Sequence, residues 1–99
     1  MDTLQKLAML KEVYADDAAF DLVLRKLLDI TVNQHRQRLA RYETDLRACE
    51  TRYGMDSTTF YRRFAAGELG DAMDFCEWAG LCELRQDLLD KVRRLESAE

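Results

Sequence analysis

The residues of this chain that could do chemistry are few: one histidine, three cysteines and two closely spaced acid pairs. His35 has the side chain of a metal ligand or a general base. One imidazole does not make a zinc site, which needs several N or S ligands, and no carboxylate stands in an HExxH-like spacing to it. Its distance from Val32 and Leu39 puts it instead on an apolar helical seam, where a polar residue sets register or partner. Cys49, Cys76 and Cys82 are odd in number and show no CxxC spacing. Cys76 and Cys82, six apart on one helix, point roughly 120–240° away from each other and cannot chelate together. Burial is the expected role of the thiols. Asp71/Asp74 and Asp87/Asp90 each place two acids three apart on one helix face, a spacing that acid–base work or a cation could use. The first pair is read as helix-start acids and the second as a solvated face. With no glycine-rich phosphate loop and no GxSxG, the chain is expected to be no enzyme and to carry no metal or cofactor.

The elements that hold these residues are helical. Ninety-nine residues fit one small domain, and 47% hydrophobic with 34% charged residues is a globular balance. There is no proline. Residues 2–14 predict a short amphipathic helix, with Leu4, Leu7, Ala8 and Leu10 at helical spacing. Ala15-Asp16-Asp17 predicts a break, with Asp16 or Asp17 as the cap of the next helix. From Ala18 to Tyr53 one long helix is expected. Leu28, Val32, His35, Leu39, Tyr42, Leu46, Cys49 and Tyr53 alternate spacings of four and three, a heptad seam. Upstream, Phe20, Leu24 and Leu28 step by four, so the seam drifts, and Leu22, Val23, Leu27 and Ile30 add apolar surface on other sides. Such a helix needs more than one neighbour, so Leu24, Leu28, Val32, His35 and Leu39 are expected to meet a second copy of the chain.

Residues 53–81 hold all four glycines and most of the aromatic side chains. Gly54 is expected to close the long helix, and Asp56 to cap a short one, with Met55 stapled to Phe60. Gly67 ends that helix. Asp71 is expected to cap a last helix running from Ala72 to about Leu95. Gly80 inside it costs about 1 kcal/mol against alanine, which close packing of a neighbouring backbone would explain. Tyr53, Phe60, Tyr61, Phe64, Phe75 and Trp78 are expected to lock the corner between the two long helices. Tyr61, Arg62, Arg63 and Trp78 are the candidate partner contacts, because aromatic and arginine side chains anchor protein interfaces.

Charge is uneven. Residues 33–63 carry seven arginines against four acids, and residues 64–99 carry nine acids against four bases. A basic middle beside an acidic tail suits an antiparallel hairpin. The arginines are interleaved with Glu43, Asp45 and Glu50, which weakens any phosphate-binding stripe, so nucleic acid is not the expected partner of this chain alone. Asp2, Lys6, Lys11 and Glu12 interrupt any apolar leader core, and no stretch approaches a membrane span. The expected setting is the cytoplasm, with reduced thiols.

Tyr53-Gly54-Met55, Ser57-Thr58-Thr59-Phe60-Tyr61-Arg62-Arg63-Phe64, Gly67-Glu68-Leu69-Gly70-Asp71, Asp74-Phe75 and Glu77-Trp78-Ala79 together resemble the small prokaryotic antitoxins of the TumA type. The resemblance covers residues 53–95. It departs at Thr58 and Thr59, where the family has more acids. It implies a non-enzymatic protein that neutralises a TumE-type toxin by direct binding and shares in repressing its own operon. The expected architecture is all-α: a long antiparallel helical hairpin with short extra helices, paired as an elongated dimer. The alternatives are a homodimeric helical scaffold with no toxin and, below that, a nucleic-acid-binding regulator.

Overall fold

Four helices make up nearly all of residues 1–14 and 16–98, which the computed structural model describes. They are α1 (Thr3–Val13), α2 (Asp17–Tyr53), α3 (Ser57–Ala65) and α4 (Met73–Ser97). The all-α architecture and the long hairpin agree with the sequence. Asp2 caps α1 in a reciprocal box: its Oδ1 accepts from the Gln5 N–H at 2.7 Å, and Gln5 Oε1 accepts from the Asp2 N–H at 2.9 Å. The predicted break is present at its two described residues, since Asp16 Oδ1 takes the Ala18 N–H at 2.9 Å and α2 begins at Asp17. Ala15 lies outside the described residues.

Gly54 ends α2 as expected. It is left-handed (φ 64°, ψ 35°), and its N–H and that of Met55 both donate to the Glu50 carbonyl. A Cβ here would meet no neighbour, but the backbone angle alone penalises one. Gly54→Ala is expected to cost about 1–2 kcal/mol, the left-handed penalty for an L-residue, read as a lower urea midpoint with an unchanged slope. Asp56 then caps α3 through the Thr59 N–H at 2.7 Å, while Met55 and Phe60 meet in one cluster. The cap expected at Asp71 is absent. Gly70 turns the chain left-handed at φ 78°, α4 starts only at Met73, and Ala72 occupies the cap position without a side-chain bond.

α4 lies antiparallel along α2. Arg36 is paired with Glu96 near one end, Arg85 with Glu43 at 3.4 Å in the middle, and Tyr53 and Arg52 with Asp74 at the corner. The basic middle does meet the acidic tail. This register sets Leu39 level with the stretch of α4 that carries Leu88 and Val92, all three buried. Gly80 is not explained by packing within the chain, contrary to the expectation: a Cβ there would have nothing within 4 Å. Gly80→Ala is therefore expected to stabilise the chain by about 1 kcal/mol through helix propensity, raising the thermal midpoint. No gain would place something against that face of α4 in solution.

The hairpin is unequal. α4 has 25 residues against 37 in α2, and it stops at Ser97, one residue past the partner of Arg36. The first part of α2 runs on beyond it for roughly 20 Å at 1.5 Å per residue. The result is an elongated molecule of 59 × 24 × 18 Å with a radius of gyration of 19.6 Å. A compact chain of this length would have about 13 Å.

Candidate functional site

The corner is built around one stack. The Phe60 and Trp78 rings lie parallel within 5° at 3.7 Å between centroids, and Tyr53 stacks on Trp78 at 5.7 Å. Phe75 meets Tyr53 edge-on at 5.2 Å, and Phe64 stacks on Phe60 at 5.5 Å. Phe60 and Trp78 are 0% and 1% exposed. The one polar atom of Trp78, Nε1–H, donates to Ser57 Oγ at 3.0 Å, as a buried indole requires. Ser57 is itself held by Glu50, whose Oε2 accepts its N–H at 2.7 Å. Trp78 is thus a core residue and cannot be a partner contact; its size made it the best filler of the corner. Of the four candidate contacts, Arg62 is exposed and Tyr61 and Arg63 are half-buried. Tyr61 donates to Glu83 at 2.8 Å and Arg63 reaches Glu68 at 3.2 Å.

Two phenols tie the corner to α4. The hydrogen bond to Asp74 raises the Tyr53 pKa above the ordinary 10.0, and the bond to Glu83 does the same for Tyr61. A raised phenol pKa in the folded chain stabilises it fully below pH 10.0, and that contribution is lost as pH rises through the folded value. Stability should therefore fall on the alkaline side of pH 10.0, and the double variant Tyr53→Phe/Tyr61→Phe should flatten that fall in urea titrations. On the acid side, the Thr59 N–H and hydroxyl hold the Asp56 carboxyl below its ordinary 3.8. That cap is present above pH 3.8 and is lost as pH drops through the lower folded value.

The chemistry-bearing residues do not come together. His35 is half-buried, with Nδ1 2.8 Å from the Thr31 carbonyl. A carbonyl can only accept, so Nδ1 carries the proton and the ring is fixed to its own helix. Cys49 and Cys82 are half-buried against the corner core, and burial raises both thiols above their ordinary pKa, away from the nucleophilic thiolate. Cys76 is exposed. Among the described residues no group of three or more His, Cys, Asp and Glu could hold a metal. One open groove of about 620 Å³ runs between α2, α3 and α4 over Leu46 and Cys82. Three of its four carboxylates are engaged, Glu43 by Arg85, Glu50 by the Ser57 N–H and Glu83 by Tyr61, and the fourth is Asp87.

The surface that stands out lies at the other end. Among the described residues, ten of the twelve exposed large apolar side chains fall in residues 1–30. α1 buries no residue, and Leu4 and Val13 are 77% and 74% exposed. On the overhang of α2, Phe20 touches Tyr14 at 5.5 Å, and Val23, Leu24 and Leu28 are half-buried. Leu22, Leu27 and Ile30 remain largely open. Of the five seam residues expected to meet a second copy, Val32 and Leu39 are instead buried within the chain itself and His35 is half-buried. The heptad seam is the face that α4 covers. Only Leu24 and Leu28, on the overhang, lie beyond it. Leu22, Leu27 and Ile30, apolar in type but off the seam in spacing, are the signal in the sequence that marks the open face.

The arginines of α2 do not form a stripe. Helical spacing sets Arg38 and Arg41 on one flank of the seam and Arg36 and Arg47 on the other, and Arg36 and Arg52 are paired with acids of α4. No helix among the described residues is long and apolar enough to cross a membrane. In comparisons with family models, curated proteins and solved structures, the chain matches none.

Proposed function

We propose that this chain is a non-enzymatic protein-binding module whose binding surface is the arm formed by α1 and the overhang of α2. The observation that carries the reading is the exposed apolar character of that arm. The accessible surface is 7532 Å², against roughly 5,800 Å² for a compact monomer of this mass. Apolar surface exposed in one contiguous region marks an interaction site. The resemblance of residues 53–95 to TumA-type antitoxins supplies the finer reading: the chain neutralises a toxin by direct contact, with Tyr61, Arg62 and Arg63 at the corner as candidate toxin contacts and the arm free for self-pairing. A homodimeric scaffold without a toxin is the second reading, favoured by the arm alone. A nucleic-acid regulator has less support, since the arginines are split between two flanks.

Co-expression with the product of the adjacent reading frame tests the toxin reading. The expected result is co-purification and relief of that product's toxicity, weakened by Arg62→Glu. A neighbour that is harmless, or that never co-purifies, removes the toxin and leaves the scaffold.

A further inference from the structure

We infer that the occupant of the arm is a second copy of this chain, laid antiparallel so that the two overhangs of α2 pair across a two-fold axis with α1 of each copy beside them. The inference rests on the reading that the arm is a protein-binding surface. Area is the first argument. The excess of accessible surface over a compact monomer is roughly 1,700 Å² per chain, so a dimer that removed it would bury roughly 3,400 Å² in total, within the range of obligate homodimers.

Charge is the second argument. Residues 1–14 carry two acids and two bases, Asp2 and Glu12 against Lys6 and Lys11. Residues 18–32 carry Asp21 and Asp29 against Arg25 and Lys26. Asp21 and Arg25 are already paired on their own helix at 2.9 Å. The arm therefore carries net −2 of the chain's −4, and both unbalanced charges, Asp16 and Asp17, sit at the junction of α1 and α2. Along residues 18–32 the charges balance, so two overhangs that pair there bring no net charge together. Length is the third. An overhang is covered end to end by an identical overhang, and an isologous contact of this kind closes after two copies without leaving a growing end.

Light scattering and sedimentation of the full chain over a wide concentration range test the inference. The expected mass is twice the 11.6 kDa of one chain. Leu27→Glu and Ile30→Glu are expected to bring it to that of one chain, with helical circular dichroism and Trp78 emission preserved. Leu84→Glu, an equally exposed apolar site outside the arm, is expected to leave the mass doubled. A wild-type chain that stays monomeric overturns self-pairing, as does a dimer broken by Leu84→Glu and not by the arm variants. Neither result touches the broader reading, which fails separately if no protein partner, self or neighbour, protects the α1 amides from exchange.

Discussion

Trp78→Ala should lower the unfolding free energy by about 3–5 kcal/mol, the usual cost of removing a buried aromatic side chain. A domain of this size has about 5–15 kcal/mol in total. The loss should be at the high end, because the surroundings cannot collapse into the space. The Phe60 ring lies flat on the indole on one side, Tyr53 stacks on it, and both rings belong to different helices fixed by their own contacts. The Ser57 hydroxyl also loses its donor. Trp78→Phe separates these contributions. It keeps a ring for Phe60 and Tyr53 and removes the hydrogen bond, so it should cost less, about 1–3 kcal/mol. Urea unfolding followed by circular dichroism measures both. A Trp78→Ala chain with wild-type stability would mean that the corner is not the packing centre of the hairpin.

The same residue shows what the sequence could and could not say. Gly54, Asp56 and Gly67 punctuate the chain by local rules that need only a few neighbours, and each acts as expected. The reciprocal box of Asp2 and Gln5 is equally local, and its S/T/D-x-x-E/Q spacing was available to be read. Trp78 is different. Its spacing on α4 with Phe75 and Leu81 marks it as apolar-face, but whether a large aromatic is core or contact depends on what the other helices bring to it. Here α3 delivers Phe60 face to face with it, and no periodicity encodes that meeting. The cap wrongly expected at Asp71 fails for a related reason: the left-handed turn at Gly70 moves the start of α4 past it.

The seam carries the more general lesson. Spacings of four and three from Leu28 to Tyr53 report which face of a helix is apolar, never which partner covers it. Val32, Leu39 and Leu46 are buried because α4 of the same chain returns along them. How far it returns is set by the length of α4 and by its register, which the ion pairs of Arg36 and Arg85 mark and the buried side chains between the two helices hold. The seam stops being an internal matter where α4 stops. That boundary divides residues that look alike in sequence into two energetic classes.

Leu46→Ala and Leu27→Ala should expose the boundary directly. Leu46 is 5% exposed inside the corner cluster, and its truncation should cost about 2–5 kcal/mol. Leu27 is 53% exposed on the overhang. At protein concentrations low enough to suppress association, its truncation should cost well under 1 kcal/mol, since it removes little packed surface. As concentration rises the Leu27→Ala penalty should grow, because any partner that binds only the folded chain adds its binding free energy to stability by mass action. The Leu46→Ala penalty, which arises within one chain, should be large from the start. Urea midpoints of the two variants and the parent across a concentration series give the comparison. Equal penalties at the lowest concentration would place Leu27 in the packed interior and move the end of the hairpin; a Leu27→Ala penalty that never grows would leave the arm without a partner among its own copies.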